Sequence, residues 1–257
     1  MSTLALAARD SSTMVRRQLK RLIRYPSMTV QLIVTPVILL LLFVYVFGGT
    51  LGAGIGGDRD AYVNYVVPGI LLMAATMSAT GTAVMVATDM TEGIIARFRT
   101  MRISRASVLT GHVVASVIQQ VLGMAVVIGA ALAIGFRSNA TPVEWLAAAG
   151  LLTLFVVAIT WLSVALGLKS PTPEAASNAP MPLVFLPFLG SGFVPTDSMP
   201  TVLRWFAEYQ PFTPIMQTVR GLLLGSPIGN NAAIALAWCA GIAVVSYLWA
   251  KRIYNKA

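Results

Sequence analysis

The chain contains six long apolar stretches separated by short loops, which indicates that most of it lies in a membrane. A helix needs about 20 mostly apolar residues to cross the hydrocarbon core of a bilayer, and five of the stretches meet or approach that length. The chain is 57% hydrophobic and 11% charged, so its 257 residues leave no room for a sizeable soluble domain. The sequence therefore predicts an all-α integral membrane protein with one transmembrane domain and six transmembrane helices. The predicted spans are residues 29–49, 66–88, 107–135, 145–167, 178–193 and 232–250.

The fifth stretch, residues 178–193, is short and contains Pro180, Pro182 and Pro187. Proline lacks a backbone N–H and clashes with the preceding helical turn. The composition therefore favours a bent or broken span at this position.

Basic residues are distributed unevenly between the two sides of the predicted membrane domain. Fourteen of the 18 Lys and Arg lie on the side of the two termini, and the other side has only Arg59, Arg137, Arg204 and Arg220. Cytoplasmic loops carry the excess of Lys and Arg, so both termini are predicted to be cytoplasmic. The net charge of +9 also suits a nucleic-acid partner. We expect none, because the basic residues flank the spans, where they set topology and attract anionic headgroups.

The N-terminal segment combines basic residues with an apolar stripe. Within residues 9–25, Leu19, Leu22 and Ile23 follow helical spacing and have Arg and Lys around them. This pattern predicts an amphipathic helix on the cytoplasmic membrane surface, within residues 1–28. The alternative is an ordinary positively charged anchor, which needs the charges but not the stripe.

The sequence contains no recognisable catalytic motif. It has no G-x-x-x-x-G-K-[ST] segment, so it cannot form a phosphate-binding P-loop. Cys239 is the only cysteine, and no H-E-x-x-H pattern occurs, so no metal centre is expected. We therefore predict a protein that is not an enzyme, carries no cofactor of its own and takes any energy for transport from elsewhere.

Polar residues enter the predicted spans at helical spacing. On the third span, His112, Ser116 and the pair Gln119 and Gln120 follow one face. One interpretation is that polar side chains line a translocation path. The other is that they form hydrogen bonds between helices, since polar groups must find partners away from lipid. The predicted path residues are Gln31, Ser116, Gln119 and Gln120.

The loop at residues 89–105 is basic and partly apolar. Phe98 and Met101 lie among arginines, which suits a docking surface for another protein. The alternative is a topology signal without a partner.

Residues 195–225 form the most informative segment. Prolines divide it into a short amphipathic helix at 200–209 and an apolar helix at 215–224. Each piece is too short to cross a bilayer, so a membrane-dipping helical hairpin on the outer face is predicted. Non-helical backbone at that depth requires cover from protein or water.

This segment resembles the C-terminal signature of type-two ATP-binding-cassette export permeases, in particular the daunorubicin-resistance-like branch. The resemblance extends over almost the whole chain and includes the loop at 92–105. Met101-Arg102 departs from the family pattern, where a Leu-Pro-like pair is expected. The matching segments are Ser191-Gly192-Phe193-Val194-Pro195, Ser198-Met199-Pro200, Gln210-Pro211-Phe212-Thr213-Pro214 and Arg220-Gly221-Leu222-Leu223-Leu224-Gly225.

The resemblance implies a subunit of an ATP-driven exporter in the bacterial inner membrane. Two permease copies, identical or closely paralogous, would each dock a separate cytoplasmic ATPase that binds ATP and Mg. The implied substrates are amphipathic drugs or lipid-like molecules, with glycolipids or polysaccharides as the alternative. The implied ATPase-coupling residues are Glu92, Arg97, Arg99, Arg102 and Arg105. The implied outer gate comprises Phe193, Pro195, Trp205, Phe206, Pro211 and Phe212.

Two other classes fit less well. A secondary carrier would need acidic residues within its spans or an inverted repeat, and the sequence contains neither. A membrane scaffold without transport activity would need neither the outer hairpin nor the docking loop.

Overall fold

The computed structural model describes residues 26–92 and 105–256, and the regular elements within these ranges are helical. The interfacial helix predicted within residues 1–28 therefore lies almost entirely outside the described residues. The elements are α1 (Pro26–Leu41), a π-helical segment (Leu42–Phe47), α2 (Gly48–Gly54), α3 (Arg59–Thr91), α4 (Arg105–Ala133), α5 (Pro142–Lys169), α6 (Pro173–Asn178), α7 (Met181–Phe185), a 3-10 turn (Thr196–Ser198), α8 (Thr201–Tyr209), α9 (Phe212–Leu224) and α10 (Asn231–Lys256).

Five helical stretches among the described residues are long and apolar enough to cross a membrane. They match the first, second, third, fourth and sixth predicted spans, which confirms an all-α membrane protein. The number of six spans is not tested by this result and stays a prediction. The stretches are Ile33–Gly54, Arg59–Thr91, Leu109–Ala133, Pro142–Lys169 and Asn231–Tyr254.

The predicted fifth span is broken, as its prolines indicated. Only α7 is regular helix between residues 181 and 193, and turns follow it. Pro180 precedes α7 and Pro182 lies in its first turn, while Pro187 lies among the turns, so three backbone N–H donors are missing. Short-range bonds replace the regular ladder, such as Gly190 N to Pro187 O at 3.4 Å.

α3 and α5 form the centre of the bundle. In each, 67% of the most apolar stretch is buried, against 17% in α10. The two central helices approach closely at Gly167, where a Cβ atom would lie 2.5 Å from the carbonyl oxygen of Ala83. Glycine is therefore required for this contact, because even a methyl group would overlap backbone that cannot move aside.

Capping interactions fix where the two central helices begin. Asp58 accepts a hydrogen bond from Ala61 N at 2.8 Å, and Thr141 forms a reciprocal capping box with Glu144. Both starts lie at the same end of the bundle, which we call the Arg59 end. We call the opposite end, where α3 ends and α4 begins, the Thr91 end.

Residues 173–193, which comprise α6, α7 and the turns after α7, form what we call the broken segment, and it extends along the length of α3. Near the start of the broken segment, Ala176 of α6 packs against Ala83 and Ala87 of α3. Near the end of the broken segment, Gly192 approaches Gly69 of α3 so closely that a Cβ atom on Gly69 would lie 2.6 Å from Gly192 O. Residues 69 and 87 are 18 positions apart, which corresponds to about 27 Å along a helix. The segment therefore runs from the Thr91 end to the Arg59 end despite its breaks.

Candidate functional site

The turns that end the broken segment receive hydrogen bonds from two tyrosines of α3. Tyr65 Oη donates to Ser191 O at 3.0 Å, and Tyr62 Oη donates to Phe193 O at 3.2 Å. These carbonyl groups lie outside any helix and cannot bond within one. Side chains must satisfy them, since a buried carbonyl without a partner is costly. The two tyrosines were not predicted as site residues.

Arg220 of α9 donates hydrogen bonds to the same turn and to α3. Its Nη2 donates to Ser191 O at 2.7 Å and to Tyr65 O at 3.1 Å. The guanidinium carbon also lies 3.8 Å from the centre of the Tyr65 ring. A planar guanidinium is suited to this combination, because it can stack on an aromatic face while donating in its own plane.

Gln210 and Thr213 complete the set of side chains that hold the turns. Gln210 Nε2 donates to Leu186 O at 3.0 Å, and Ser191 N donates to Thr213 Oγ1 at 3.3 Å. A Cβ atom on Gly190 would lie 2.5 Å from Gln210 Nε2 and 2.8 Å from Thr213 Oγ1, so a larger residue there would displace these two side chains. Together with Tyr62, Tyr65 and Arg220, these residues form what we call the hairpin clamp.

The hairpin clamp explains the signature segments in structural terms. The segment at 191–195 supplies carbonyl acceptors, while 210–214 and 220–225 supply Gln210, Thr213 and Arg220 as donors or acceptors. Gly225 ends α9 with a positive φ of 75°, a conformation that favours glycine. The predicted requirement that protein cover the non-helical backbone is therefore met by named side chains.

Two of the predicted gate residues are buried inside the protein. Phe193 stacks on Phe188 with ring centres 4.6 Å apart and contacts Phe43 of the π-helical segment at 4.4 Å. Phe212 packs edge-to-face on Phe155 of α5 with ring centres 5.3 Å apart. Only 4% of Phe193 and 1% of Phe212 is exposed. Both residues support the hairpin from within and do not contribute to its surface.

The other four predicted gate residues are more exposed than Phe193 and Phe212. Trp205 and Phe206 of α8 are exposed by 65% and 41%, and they lie on the outside of the hairpin. Pro195 and Pro211 are half-buried and precede the 3-10 turn and α9, respectively. Of the predicted gate residues, only Trp205 and Phe206 are therefore exposed. Tyr209 of α8, which was not predicted, is 65% exposed, and its ring centre lies 5.3 Å from that of Trp205.

An exposed group of charged residues connects α8 to the 3-10 turn before it. Arg204 donates to Glu208 at 2.7 Å and contacts Asp197 at 2.7 Å. The hydrogen bond to Glu208 and the charge of Asp197 raise the pKa of Arg204 above its ordinary value. All three side chains face solvent, so the group orients the helix but adds little stability.

Two of the four predicted path residues form hydrogen bonds between helices. Thr82 Oγ1 of α3 donates to Ser116 Oγ at 3.0 Å. Gln120 Nε2 donates to Thr160 Oγ1 of α5 at 2.9 Å. Ser116 and Gln120 are buried within one subunit, which favours the helix-packing interpretation for both. Gln119 is half-buried, and the side chain of Gln31 lies outside the described residues.

The predicted ATPase-coupling residues lie at the Thr91 end or beyond the described ranges. Glu92 directly follows α3 and is exposed. Arg97, Arg99 and Arg102 lie outside the described residues. Arg105 begins α4, and its side chain is also outside them.

A buried polar pair lies beside this loop. His112 Nε2 of α4 is 3.1 Å from Asp89 Oδ2 of α3, and the two side chains are 2% and 1% exposed. This contact joins the last turns of α3 to α4. The expectation that His112 bonds another helix is confirmed. Asp89 was missed as its partner because it falls in the loop by sequence, although it belongs to the last turns of α3.

A protein-family model described as ABC-2 type transporter matches residues 10–224 of the chain. The chain belongs to the ABC-2 type transporter family. This confirms the resemblance seen in the sequence.

This ABC-2 chain is similar to two proteins that are named as drug-resistance permeases. It is 25% identical to the daunorubicin resistance ABC transporter permease protein DrrB1 of Streptomyces coeruleorubidus, over 98% of this chain and 88% of the relative. It is also 25% identical to the probable doxorubicin resistance ABC transporter permease protein DrrC of Mycobacterium tuberculosis, over 73% of this chain and 68% of the relative.

The ABC-2 family match includes all residues of the hairpin clamp and ends at Leu224, the last residue of α9. It also includes Asp89, His112 and the loop at 93–104 that separates α3 from α4. Both candidate regions therefore lie in the part of the chain that the family shares.

Proposed function

We propose that the protein is the transmembrane permease subunit of an ATP-driven exporter of amphipathic drugs or lipid-like molecules. The observation that carries this proposal is the family match over residues 10–224, together with the drug-resistance permease names of the relatives. A separate ATPase subunit would bind ATP and Mg, because the sequence contains no P-loop. Export of glycolipids or polysaccharides by the same architecture is the alternative.

The Thr91 end faces the cytoplasm of a bacterial cell in this proposal, with both termini on that side. The excess of Lys and Arg in the loops at that end supports the orientation. The broken segment would then add the fifth crossing in chain order and bring the total to six, since it extends from Ala87 to Gly69 along α3. Its irregular turns near the Arg59 end are compatible with a membrane because the hairpin clamp covers them.

The second part of the proposal is a pair of permease copies with the substrate path between them. Exposed apolar residues such as Val34, Ile38 and Tyr45 lie on α1 and the π-helical segment, so this face is available to lipid or a second copy. Among the predicted path residues with described side chains, Gln119 is the only half-buried one, although its amide nitrogen is buried and has no hydrogen-bond partner among the described residues. Ser116 and Gln120 would support the path from within.

The loop at 89–105 would dock the ATPase, and this is tested by single alanine substitutions at Glu92, Arg97, Arg99 and Arg102. Truncating one partner of a buried charge pair in an interface costs about 2–5 kcal/mol, so at least one substitution should sharply reduce ATPase binding and export. The measurement is co-purification and drug-stimulated ATP hydrolysis after reconstitution with the cognate ATPase. The permease alone should hydrolyse no ATP.

Alanine at Lys251 and Arg252 is the matched control, because these exposed basic residues lie at the same end on α10. They should leave ATPase binding unchanged. Full binding and export in all four loop variants would leave the loop as a topology signal. Intrinsic ATP hydrolysis by the purified permease would contradict the proposed division of labour.

The exposed face of α8 would act as a moving outer gate. Among the predicted gate residues, Trp205 and Phe206 are the aromatic ones available for this role, since Phe193 and Phe212 are buried. With Cys239 replaced by alanine, cysteine at position 206 should be labelled from outside at different rates in nucleotide-free and ATP-trapped complexes. Equal rates in both states would favour a static anchor at the outer membrane interface.

Two positions on the hairpin provide controls for the labelling experiment. Cysteine at position 202 should react in both states, because Val202 is 85% exposed on the same helix. Cysteine at position 212 should stay unreactive in both states, because Phe212 is buried against Phe155. A change confined to position 206 would therefore report movement of the gate and not unfolding of the hairpin.

A further inference from the structure

The buried pair of Asp89 and His112 is placed at the base of the loop that separates α3 from α4. Asp89 lies three residues before Glu92, and His112 lies seven residues after Arg105. Their side chains are 3.1 Å apart and almost fully buried. The two helix ends that carry the loop are therefore joined to each other directly at its base.

Apolar packing surrounds the pair on both helices. Val86 and Met90 of α3 and Leu109 and Val113 of α4 belong to one cluster that also contains residues of α5 and α10. In such surroundings a carboxylate is stable only with a hydrogen-bonding partner, and the low local dielectric strengthens the bond that it makes. Separation of the two helix ends would break the contact between Asp89 and His112 in a largely apolar environment. Arrangements in which the ends of α3 and α4 are partly separated are therefore unfavourable.

A second polar pair joins the same two helices but lies further from the loop. Thr82 and Ser116 form a hydrogen bond of 3.0 Å between neutral hydroxyl groups. Thr82 is seven residues before Asp89, about 10 Å further along α3. This pair provides a comparison in which the same helices are joined away from the loop and without a carboxylate.

We propose that Asp89 and His112 are positioning residues that make the ends of α3 and α4 move as one unit when the ATPase moves the loop. This inference rests on the proposed function, because it assumes that the loop at 89–105 docks the ATPase. In this proposal the pair contacts neither ATP nor the exported molecule. Its role is to transmit motion of the loop into the two helices without loss.

The test compares Asp89→Ala and His112→Ala with wild type in the reconstituted complex. The readout is the number of ATP molecules hydrolysed per molecule of a fluorescent anthracycline exported. We expect this ratio to rise by about fivefold or more, the lower end of typical coupling between sites, while ATPase binding is retained. His112→Gln should lie closer to wild type, because its amide nitrogen can still donate to Asp89.

The matched controls are Thr82→Ala and Ser116→Ala, which should change the ratio less than twofold. An unchanged ratio in Asp89→Ala and His112→Ala would overturn the inference. An equal rise in the Thr82 and Ser116 variants would also overturn it, because any loosening between α3 and α4 would then suffice. If the alanine variants do not assemble, Asp89→Asn and His112→Gln take their place, and failure of these as well would show a role in folding alone.

Failure of the proposed function would appear differently. Wild type would then neither bind the ATPase nor export the anthracycline. In that case, amide hydrogen exchange of the permease alone still tests whether the pair holds the helix ends. Exchange at residues 84–92 should become faster in His112→Ala and stay near wild type in Ser116→Ala; equal exchange in the two variants would overturn the inference.

Discussion

Replacement of Arg220 with methionine is expected to destabilise the hairpin more than any other single change of charge in the described residues. The substitution removes the hydrogen bonds to Ser191 O and Tyr65 O and the stacking on the Tyr65 ring. A hydrogen bond to a charged group contributes about 1.5–3 kcal/mol, and a cation–π contact about 0.5–2 kcal/mol. Because Arg220 is only half-buried, we expect a loss of roughly 2–4 kcal/mol in all.

Thermal unfolding of the purified permease in detergent, followed by the monodisperse fraction, is the measurement for this prediction. Arg220→Lys should also be destabilised, because an ammonium keeps the charge but has no planar fork. Arg204→Met is the control, since Arg204 is solvent-exposed and contacts only Asp197 and Glu208 among the described residues. Equal unfolding temperatures for the Arg220 and Arg204 variants would contradict the structural role of the hairpin clamp.

Alanine at Gly69 is expected to have the opposite effect from alanine at Gly81, although both residues lie on α3. A Cβ atom at Gly69 would lie 2.6 Å from Gly192 O and 2.9 Å from Gly192 Cα, which are backbone atoms of the broken segment. Such overpacking costs about 1–3 kcal/mol. A Cβ atom at Gly81 meets no atom within 4 Å, so alanine there should stabilise the helix by about 0.5–1 kcal/mol.

α5 also contains one glycine in a close contact and one in open space, so the experiment can be repeated independently on that helix. Gly167 contacts the backbone of Ala83, whereas a Cβ atom at Gly150 has open space around it. Gly167→Ala should therefore lower the unfolding temperature and Gly150→Ala should not. If all four alanine variants unfold at the wild-type temperature, the close approaches of α3 to the broken segment and to α5 do not exist in the protein in solution.

Helical architecture and the break in the fifth stretch could be predicted from the sequence, because the first depends on the length of an apolar run and the second on three prolines close together. A single proline is not enough, since Pro36 lies inside α1 and Pro68 lies inside α3. A run of about 20 apolar residues satisfies its backbone in a bilayer only as a helix, and proline removes a donor wherever it occurs. The same holds for the hairpin, whose prolines limit α8 and α9 to short lengths. The family signature could also be recognised, because it is a matter of residue identity and order.

Burial of individual aromatic residues could not be predicted. Phe206 and Phe212 are six positions apart and were assigned the same role, yet Phe206 is exposed and Phe212 packs on Phe155. In a soluble protein an apolar residue indicates the core. In a membrane protein lipid is as apolar as the core, so hydrophobicity does not distinguish the two surroundings.

Sequence alone determined that the chain forms membrane helices, that the fifth stretch with its three prolines is broken, and to which family the chain belongs. Tertiary structure decided which polar side chains meet: Tyr65 with Ser191, Arg220 with Tyr65, and Asp89 with His112. The first two contacts join residues 126 and 155 positions apart. No local pattern specifies such a distance along the chain, because these contacts follow from how α3, the broken segment and α9 pack together.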